Sequence, residues 1–202
     1  MNTIIKALAT LSLFSMSIMP FVYPTQAHAV VDVAAMQEAK VSFTFDDGFL
    51  STYTNALPIL NAKNFKATIY PNTKSMNTGS QEDGFPALSW TQLQALQNTY
   101  GWEVGGHTVN HLELPTLTAT QIAEELNNSN ADLAAHGLNV SNFATPFGAY
   151  DNVVLTEALK VYASHRGFAD RDALNSLPYN KSVLMVQDLD STVTVAQAKT
   201  WV

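Results

Sequence analysis

The chain has 202 residues, enough for one domain with a substantial core, and 47% of them are hydrophobic, as in typical globular proteins. A net charge of −7 with only ten Lys and Arg residues argues against a nucleic-acid partner. The chain has no cysteine, so disulfides and thiolate metal sites are excluded, and any metal must be bound by His, Asp or Glu.

The first 29 residues have the pattern of a secretory signal peptide. Lys6 supplies a short basic region, residues 7–19 are apolar, and Ala27–Ala29 (AHA) offers a cleavage site between small residues. The alternative is a membrane anchor, but the apolar run is short for a span. We therefore expect cleavage after Ala29, no stable membrane span afterwards, and a mature protein that is secreted, periplasmic or associated with the cell wall.

Beyond a short extension (residues 30–40), stretches typical of strands and helices alternate along the chain. Strands are predicted at 41–45, 66–70, 102–104, just before Pro146 and at 182–186, with one further candidate near His165. Helices are predicted at 51–61, 89–97, 118–135 and 153–162, a last one begins near 196–202, and residues 72–86 are predicted to be a loop. This alternation favours a parallel sheet or an α/β barrel, in which the C-terminal strand ends carry the chemistry.

Two adjacent carboxylates, Asp46 and Asp47, follow the first predicted strand in the segment VSFTFDDG. Like charges this close raise each other's cost of ionisation. An ordinary turn explains the segment by itself, because Asp and Gly are favoured in turns. The alternative is a bound divalent cation, which would neutralise one carboxylate and let its neighbour remain ionised.

Two of the four histidines beyond residue 29, His107 and His111, follow the predicted strand at 102–104. If this segment is helical, their spacing puts both rings on one face. Two surface histidines are the alternative. Two His and one Asp would supply the three protein ligands of a catalytic zinc, with one position left for water. One Asp of the pair would then bind the metal, and the other would act as a base.

Three segments in this order and at these intervals, TFDDG (44–48), HTVNH (107–111) and FATPFGAYD (143–151), resemble the polysaccharide deacetylases with a NodB homology domain, carbohydrate esterase family 4. The resemblance covers residues 41–202. It implies a deformed TIM-like (β/α) barrel and metal-dependent hydrolysis of N-acetyl groups. The implied partner is an N-acetylglucosamine-containing polysaccharide of the chitin, peptidoglycan or poly-N-acetylglucosamine type.

Carried over position by position, the resemblance makes Asp46 the general base, which takes a proton from the attacking water. It implies one divalent ion, Zn²⁺, with the ligands Asp47, His107 and His111. The backbone N–H of Phe147 would stabilise the oxyanion, Pro146 would fix that backbone, and both residues would help to bind substrate. A core aromatic and a strand-ending proline explain these last two residues equally well.

The family pattern consists of five motifs along the chain, and this chain departs from the last three. The third motif, here FATPFGAYD, usually has an Arg two residues before its Pro, and this Arg orients the base. This chain has Ala144 at that position, which favours a variant branch of the family. The fourth pairs an Asp with a Trp; Asp188 or Asp190 fills it only weakly, because solvated loop carboxylates explain both. The fifth, a strand carrying the His that acts as general acid, is absent.

The remaining histidines, His136 at a predicted helix end and His165 in a polar segment, are better explained by core or surface positions than by catalysis. Five clear strands are too few to close a barrel. We therefore expect the deacetylase domain (41–202) to be truncated at its C-terminus and to have little or no activity. A non-catalytic carbohydrate-binding protein and another exported metal hydrolase are the alternatives, but binding alone would not need a base beside a metal.

Overall fold

Five strands form one parallel sheet in the computed structural model, which describes residues 40–81, 83–168 and 174–201. The predicted signal peptide and nearly all of the predicted extension lie outside these residues. The strands follow chain order across the sheet, as in a (β/α) barrel: β1 Phe43–Asp47, β2 Ala67–Pro71, β3 Glu103–Gly106, β4 Val140–Ala144 and β5 Ser164–Arg166. Five strands make an incomplete (β/α) barrel, which is the fold class expected from the sequence.

Six α-helices occur in the described part of the chain. They are α1 Leu57–Ala62, which continues a π-helical turn at Thr52–Ala56, α2 Thr73–Thr78, α3 Trp90–Asn98, α4 Ala119–Ala135, α5 Asn152–Val161 and α6 Val195–Ala198. Capping boxes begin α3 at Ser89 and α4 at Thr118, and the carboxylate of Asp151 caps α5. Short 3₁₀ turns cover Leu114–Thr116, Pro146–Gly148 and Lys199–Trp201.

Two predicted elements were wrong. The stretch 72–86 is not all loop, because Asn72 accepts a hydrogen bond from the Ser75 amide and Gly79 adopts the left-handed conformation, so that α2 begins and ends there. The stretch 182–186 is not a strand and forms only one bridge, from Leu184 to Arg166. The side chain of Asn175 bonds both backbone groups of Met185 and so takes partners that a strand would need. The further strand suspected near His165 is present as β5.

Two groups of buried side chains pack the helices against the sheet. The first joins β2 and β3 to α1 and α3, and the second joins β4 to α4 and α5. On β3 a Cβ at Gly105 would lie 2.2 Å from the ring of Tyr70, and one at Gly106 would lie 2.3 Å from the hydroxyl of Tyr162. The strand that precedes His107 is therefore held between two tyrosines that leave no room for side chains there.

Candidate metal centre and active site

Asp47, His107 and His111 lie together at the C-terminal ends of β1 and β3. One ligand atom of each lies within 4.8 Å of the others. The Asp47 Oδ1 atom is 3.4 Å from Nε2 of His107 and 3.1 Å from Nε2 of His111. His107 is fully buried, and the other two side chains are partly exposed, so the cluster opens towards solvent on one side.

The segment from His107 to His111 is a loop and not a helix, which corrects the conditional helical reading of the HxxxH spacing. Thr108 and His111 have positive φ angles of 66° and 56°. The His111 amide donates to Thr108 Oγ1 at 3.0 Å, which closes a tight turn. The two rings meet, with centroids 5.0 Å apart, because the backbone turns back on itself.

The donor set fits a divalent cation. Nδ1 of His107 lies 2.7 Å from the carbonyl oxygen of Ala144, which can only accept, so Nδ1 carries a proton and donates it there. In the neutral ring, Nε2 then directs a lone pair at Oδ1 of Asp47. This carboxylate oxygen is buried and accepts no hydrogen bond that meets the usual geometric limits. A lone pair and a carboxylate oxygen repel unless a proton or a metal ion lies between them. In metal-binding histidines the ring nitrogen that does not bind the metal typically contacts a carbonyl or carboxylate, as Nδ1 of His107 does here.

The carboxylate of Asp47 is ionised at neutral pH. Burial raises its pKa, but hydrogen bonding and positive charge from His107 and His111 outweigh that effect and hold the pKa well below its usual range. A metal ligand has to be deprotonated in this way. The described residues therefore include one group of three side chains that could hold a metal ion.

Asp46, the predicted base, forms an ion pair with Arg166 that sequence reasoning missed. Nη2 of Arg166, on β5, donates to Oδ1 of Asp46, 120 residues away on β1. The Arg166 side chain is only 3% exposed, and its guanidinium carbon lies 5.1 Å from the ring centroid of Tyr70 and 5.0 Å from that of Phe168. Arg166 and Ala144 are register partners on neighbouring strands, so their side chains share one face of the sheet.

Arg166 thus places a positive charge beside the strand position where the family pattern has its Arg. The sequence contains only two arginines, Arg166 and Arg171, and this small number is the one feature that could have pointed to Arg166. No pattern within one strand links position 166 to position 46, however, so the pairing itself becomes visible only in the folded sheet.

Phe147 lies beside the cluster, with its ring centroid 4.5 Å from that of His111. The residue is 57% exposed, so Phe147 is not a core aromatic. Its φ angle of 57° is left-handed, and the flanking bonds from Gly148 N to Thr145 O and from Ala149 N to Pro146 O hold the turn. Pro146 is buried directly after β4. The oxyanion and substrate roles of both residues remain predictions.

His165 and His136 lie away from the cluster's chemistry. His165 is fully buried against the rings of Tyr150 and Phe143, and burial lowers its pKa to about 4. Because neighbouring residues of a strand face opposite sides and Arg166 faces Asp46, His165 points away from the site. Of the two positions expected for it, core or surface, the structure shows the core.

His136 forms the C-cap of α4, and its ring stacks on Trp90 with the centroids 3.6 Å apart. Asp188 is exposed in a stretch without regular structure, and its weak assignment to the substrate site stays a prediction. Asp190 is also exposed and accepts hydrogen bonds from Thr192, as in a local turn.

A family model described as polysaccharide deacetylase matches residues 34–163. Among curated proteins, the chain is 30% identical over 142 residues to "Putative polysaccharide deacetylase YxkH" of Bacillus subtilis, a match that spans 67% of this chain and 48% of that protein. It is 33% identical over 117 residues to "Probable peptidoglycan-N-acetylglucosamine deacetylase" of Arthroderma benhamiae, across 57% of this chain and 25% of that protein. The matches thus span about half and a quarter of these relatives.

Among solved structures, the deacetylase PplD of Streptococcus pyogenes, in complex with acetate, superposes with a TM-score of 0.72. The alignment covers 82% of this chain and 71% of that one at 23% identity. At this identity the likeness establishes the fold.

Proposed function

This chain belongs to the polysaccharide deacetylase family, and from that premise we propose that it hydrolyses N-acetyl groups of an N-acetylglucosamine-containing polysaccharide with one bound divalent ion. The observation that carries the proposal is the meeting of Asp47, His107 and His111 directly beside Asp46, the arrangement that a metal-assisted hydrolysis needs. The preferred ion is Zn²⁺, which binds two imidazoles and a carboxylate and leaves one position open.

Asp47, His107 and His111 would hold the ion, which when bound supplies Lewis acidity and lowers the pKa of water. The carbonyl of Ala144 accepts the hydrogen bond from Nδ1 and so sets the tautomer of His107, which leaves Nε2 facing the cluster and free to bind the ion. The loop turn at Thr108 places the second imidazole on the same side of Asp47. The protein thus supplies three donors whose directions are set before any ion arrives.

Asp46 is proposed to act as the general base that removes a proton from the attacking water. Arg166 holds one of its oxygens, which fixes the rotamer of the carboxylate and compensates its charge. With a cation beside Asp47 and the guanidinium beside Asp46, each of the two adjacent carboxylates has its own positive partner. This pairing resolves the repulsion that the Asp-Asp sequence raises.

The group that protonates the departing amine is not one of the two remaining described histidines. His165 faces away from Asp46 and His136 stacks on Trp90, so neither imidazole is placed to donate a proton at the cluster of Asp47, His107 and His111. We therefore propose that the described residues carry the nucleophilic half of the reaction, and that turnover of this chain is slow.

The proposed location is outside the cytoplasm, in the secreted, periplasmic or cell-wall fraction, on the strength of the signal-peptide pattern in residues 1–29. Within residues 40–81, 83–168 and 174–201, no helix is long and apolar enough to cross a membrane.

The proposal is tested by acetate release from chitin oligomers, peptidoglycan and poly-N-acetylglucosamine, with the zinc-loaded chain. We expect slow release from at least one polymer that stops after chelation and in Asp46→Asn, and that persists in Asp151→Asn, a control at an exposed helix cap. Polymer binding without any release above the Asp46→Asn level would favour a non-catalytic carbohydrate-binding protein. Zinc-dependent phosphoester hydrolysis in its place would favour another metal hydrolase.

A further inference from the structure

The loop that carries both histidines has a conformation that its own residues do not favour. Thr108 and His111 both have the left-handed backbone conformation, which residues other than glycine rarely adopt. In Thr108 the branch at Cβ makes this conformation still less favourable. Residues 107–111 belong to no helix or strand. Such a backbone persists only when its surroundings determine it, so the origin of the ligand geometry lies in what contacts the loop.

The side chain of Glu125, on α4, contacts the part of the loop that lies between the two histidines. Its Oε2 accepts from the amides of Val109 and Asn110 at 3.0 and 2.8 Å, and its Oε1 accepts from Nδ2 of Asn110 at 2.6 Å. Glu125 as a whole is only 8% exposed. One buried carboxylate therefore binds three donors of the loop and fixes two consecutive peptide groups.

The opposite side of the loop is held by the first turn of α2. The amides of Thr73 and Lys74 donate to the carbonyls of Thr108 and Val109 at 3.2 and 3.0 Å. The hydroxyl of Thr73 in turn donates to Asp132, also on α4, at 2.7 Å. Helix α4 therefore supports the loop directly through Glu125 and indirectly through α2.

A buried carboxylate can also be a merely structural residue, satisfied by whichever amides lie near it. Two features indicate that Glu125 also determines the conformation of the loop. Glu125 lies on α4 beside the buried apolar Ile122 and Leu126, where an apolar side chain would avoid the penalty of burying a charge. All three donors that Glu125 binds in the loop also belong to the two residues directly before His111, so its contacts set the path between the two ligands.

We infer that Glu125 is a positioning residue for the metal site: it holds residues 109–110 so that the imidazoles of His107 and His111 face Asp47 together. The inference rests on the metal site of the proposed function and adds a residue outside the three ligand segments. Removal of a group that orients metal ligands typically lowers metal affinity 10- to 100-fold.

The test is the dissociation constant of Zn²⁺ alone, measured by chelator competition on the purified full chain, together with urea unfolding of the metal-free protein. We expect Glu125→Ala to weaken zinc binding at least about tenfold. Glu125→Gln should recover most of the affinity, because its amide oxygen still accepts from both backbone amides. Glu124→Ala, which removes an exposed carboxylate from the same helix, should leave the affinity unchanged.

A second control separates positioning from stability. Leu133→Ala removes core packing from α4 two turns further on and should lower the free energy of unfolding without changing zinc affinity. Wild-type affinity in Glu125→Ala, or equal weakening in Leu133→Ala, would overturn the inference while leaving the proposed function intact.

If circular dichroism shows Glu125→Ala to be unfolded, Glu125→Asp takes its place under the same criteria, because a side chain one methylene shorter cannot reach both amides and Asn110. A wild-type chain that binds no zinc would overturn the metal site itself, and this inference with it.

Discussion

Replacing Arg166 by Met should expose how much the Asp46–Arg166 ion pair contributes. Methionine keeps a long, flexible side chain between Tyr70 and Phe168 but removes the charge that Asp46 contacts. Asp46 would then keep its carboxylate with only 19% of the side chain exposed to water. The change therefore leaves a largely buried charge without its partner.

The expected loss can be worked from that geometry. Removing one partner of a buried pair destabilises a protein by about 3–5 kcal/mol, and the partial exposure of Asp46 argues for the lower end, about 3 kcal/mol. With a urea m-value of about 2 kcal/mol per molar, the unfolding midpoint falls by about 1.5 M. Lys160→Met is the control, because the Lys160 side chain is 61% exposed and its ion pair with Glu157 joins residues one turn apart on α5, so that this pair is worth less than about 1 kcal/mol.

The assay is urea unfolding of the metal-free protein followed by circular dichroism. The double variant Asp46→Asn/Arg166→Met should regain part of the lost stability, because no unpaired carboxylate remains. In acetate release, Arg166→Met should lower kcat more than it raises KM, since a displaced base acts in the transition state. A midpoint for Arg166→Met equal to that of Lys160→Met, with unchanged kcat, would refute the reasoning.

Three further outcomes are expected. Elemental analysis should find about one zinc per chain, and none after the double change His107→Ala/His111→Ala; retained zinc would exclude these ligands. Asp46→Asn should abolish acetate release with zinc still bound, whereas Asp47→Asn should weaken zinc binding itself, and equal zinc loss in both variants would contradict these roles. Burial lowers the pKa of His165 to about 4 in the folded protein, from about 6.5 in an unfolded chain. The neutral imidazole therefore contributes up to about 3 kcal/mol to the free energy of unfolding above pH 6.5, and this contribution is lost as the pH falls towards 4. Unfolding of His165→Phe should depend less on pH in that window, and an unchanged dependence would contradict this assignment.

The sequence predicted what depends on neighbours along the chain. A β-branched and aromatic run ending in Asp46–Gly48 places two carboxylates at a strand end, and the three segments that resemble the family place the histidines with them. Helices α3, α4 and α5 follow from apolar periodicity and from caps such as Ser89 and Thr118. These features need no knowledge of which strands are neighbours.

What the sequence did not predict depends on the packed sheet. The pairing of Arg166 with Asp46 requires β1 and β5 to face each other across 120 residues. The turn at His107–His111 is determined by contacts from α2 and α4, whereas the spacing of the two histidines alone is equally compatible with a helix. Helix α2 was missed although Asn72 and Gly79 mark its ends, because the polar composition between them is also typical of loops.

The register between Ala144 and Arg166 has a consequence for how members of the family are recognised from their motifs. The carbonyl of Ala144, and not its side chain, receives the bond from His107, so substitution at position 144 leaves this support of the proposed metal ligand intact. In this chain the cation that contacts Asp46 is supplied by Arg166, on the strand next to the one that carries position 144. A motif search that demands arginine at position 144 would discard such chains as inactive, whereas one that accepts it at either position would retain them.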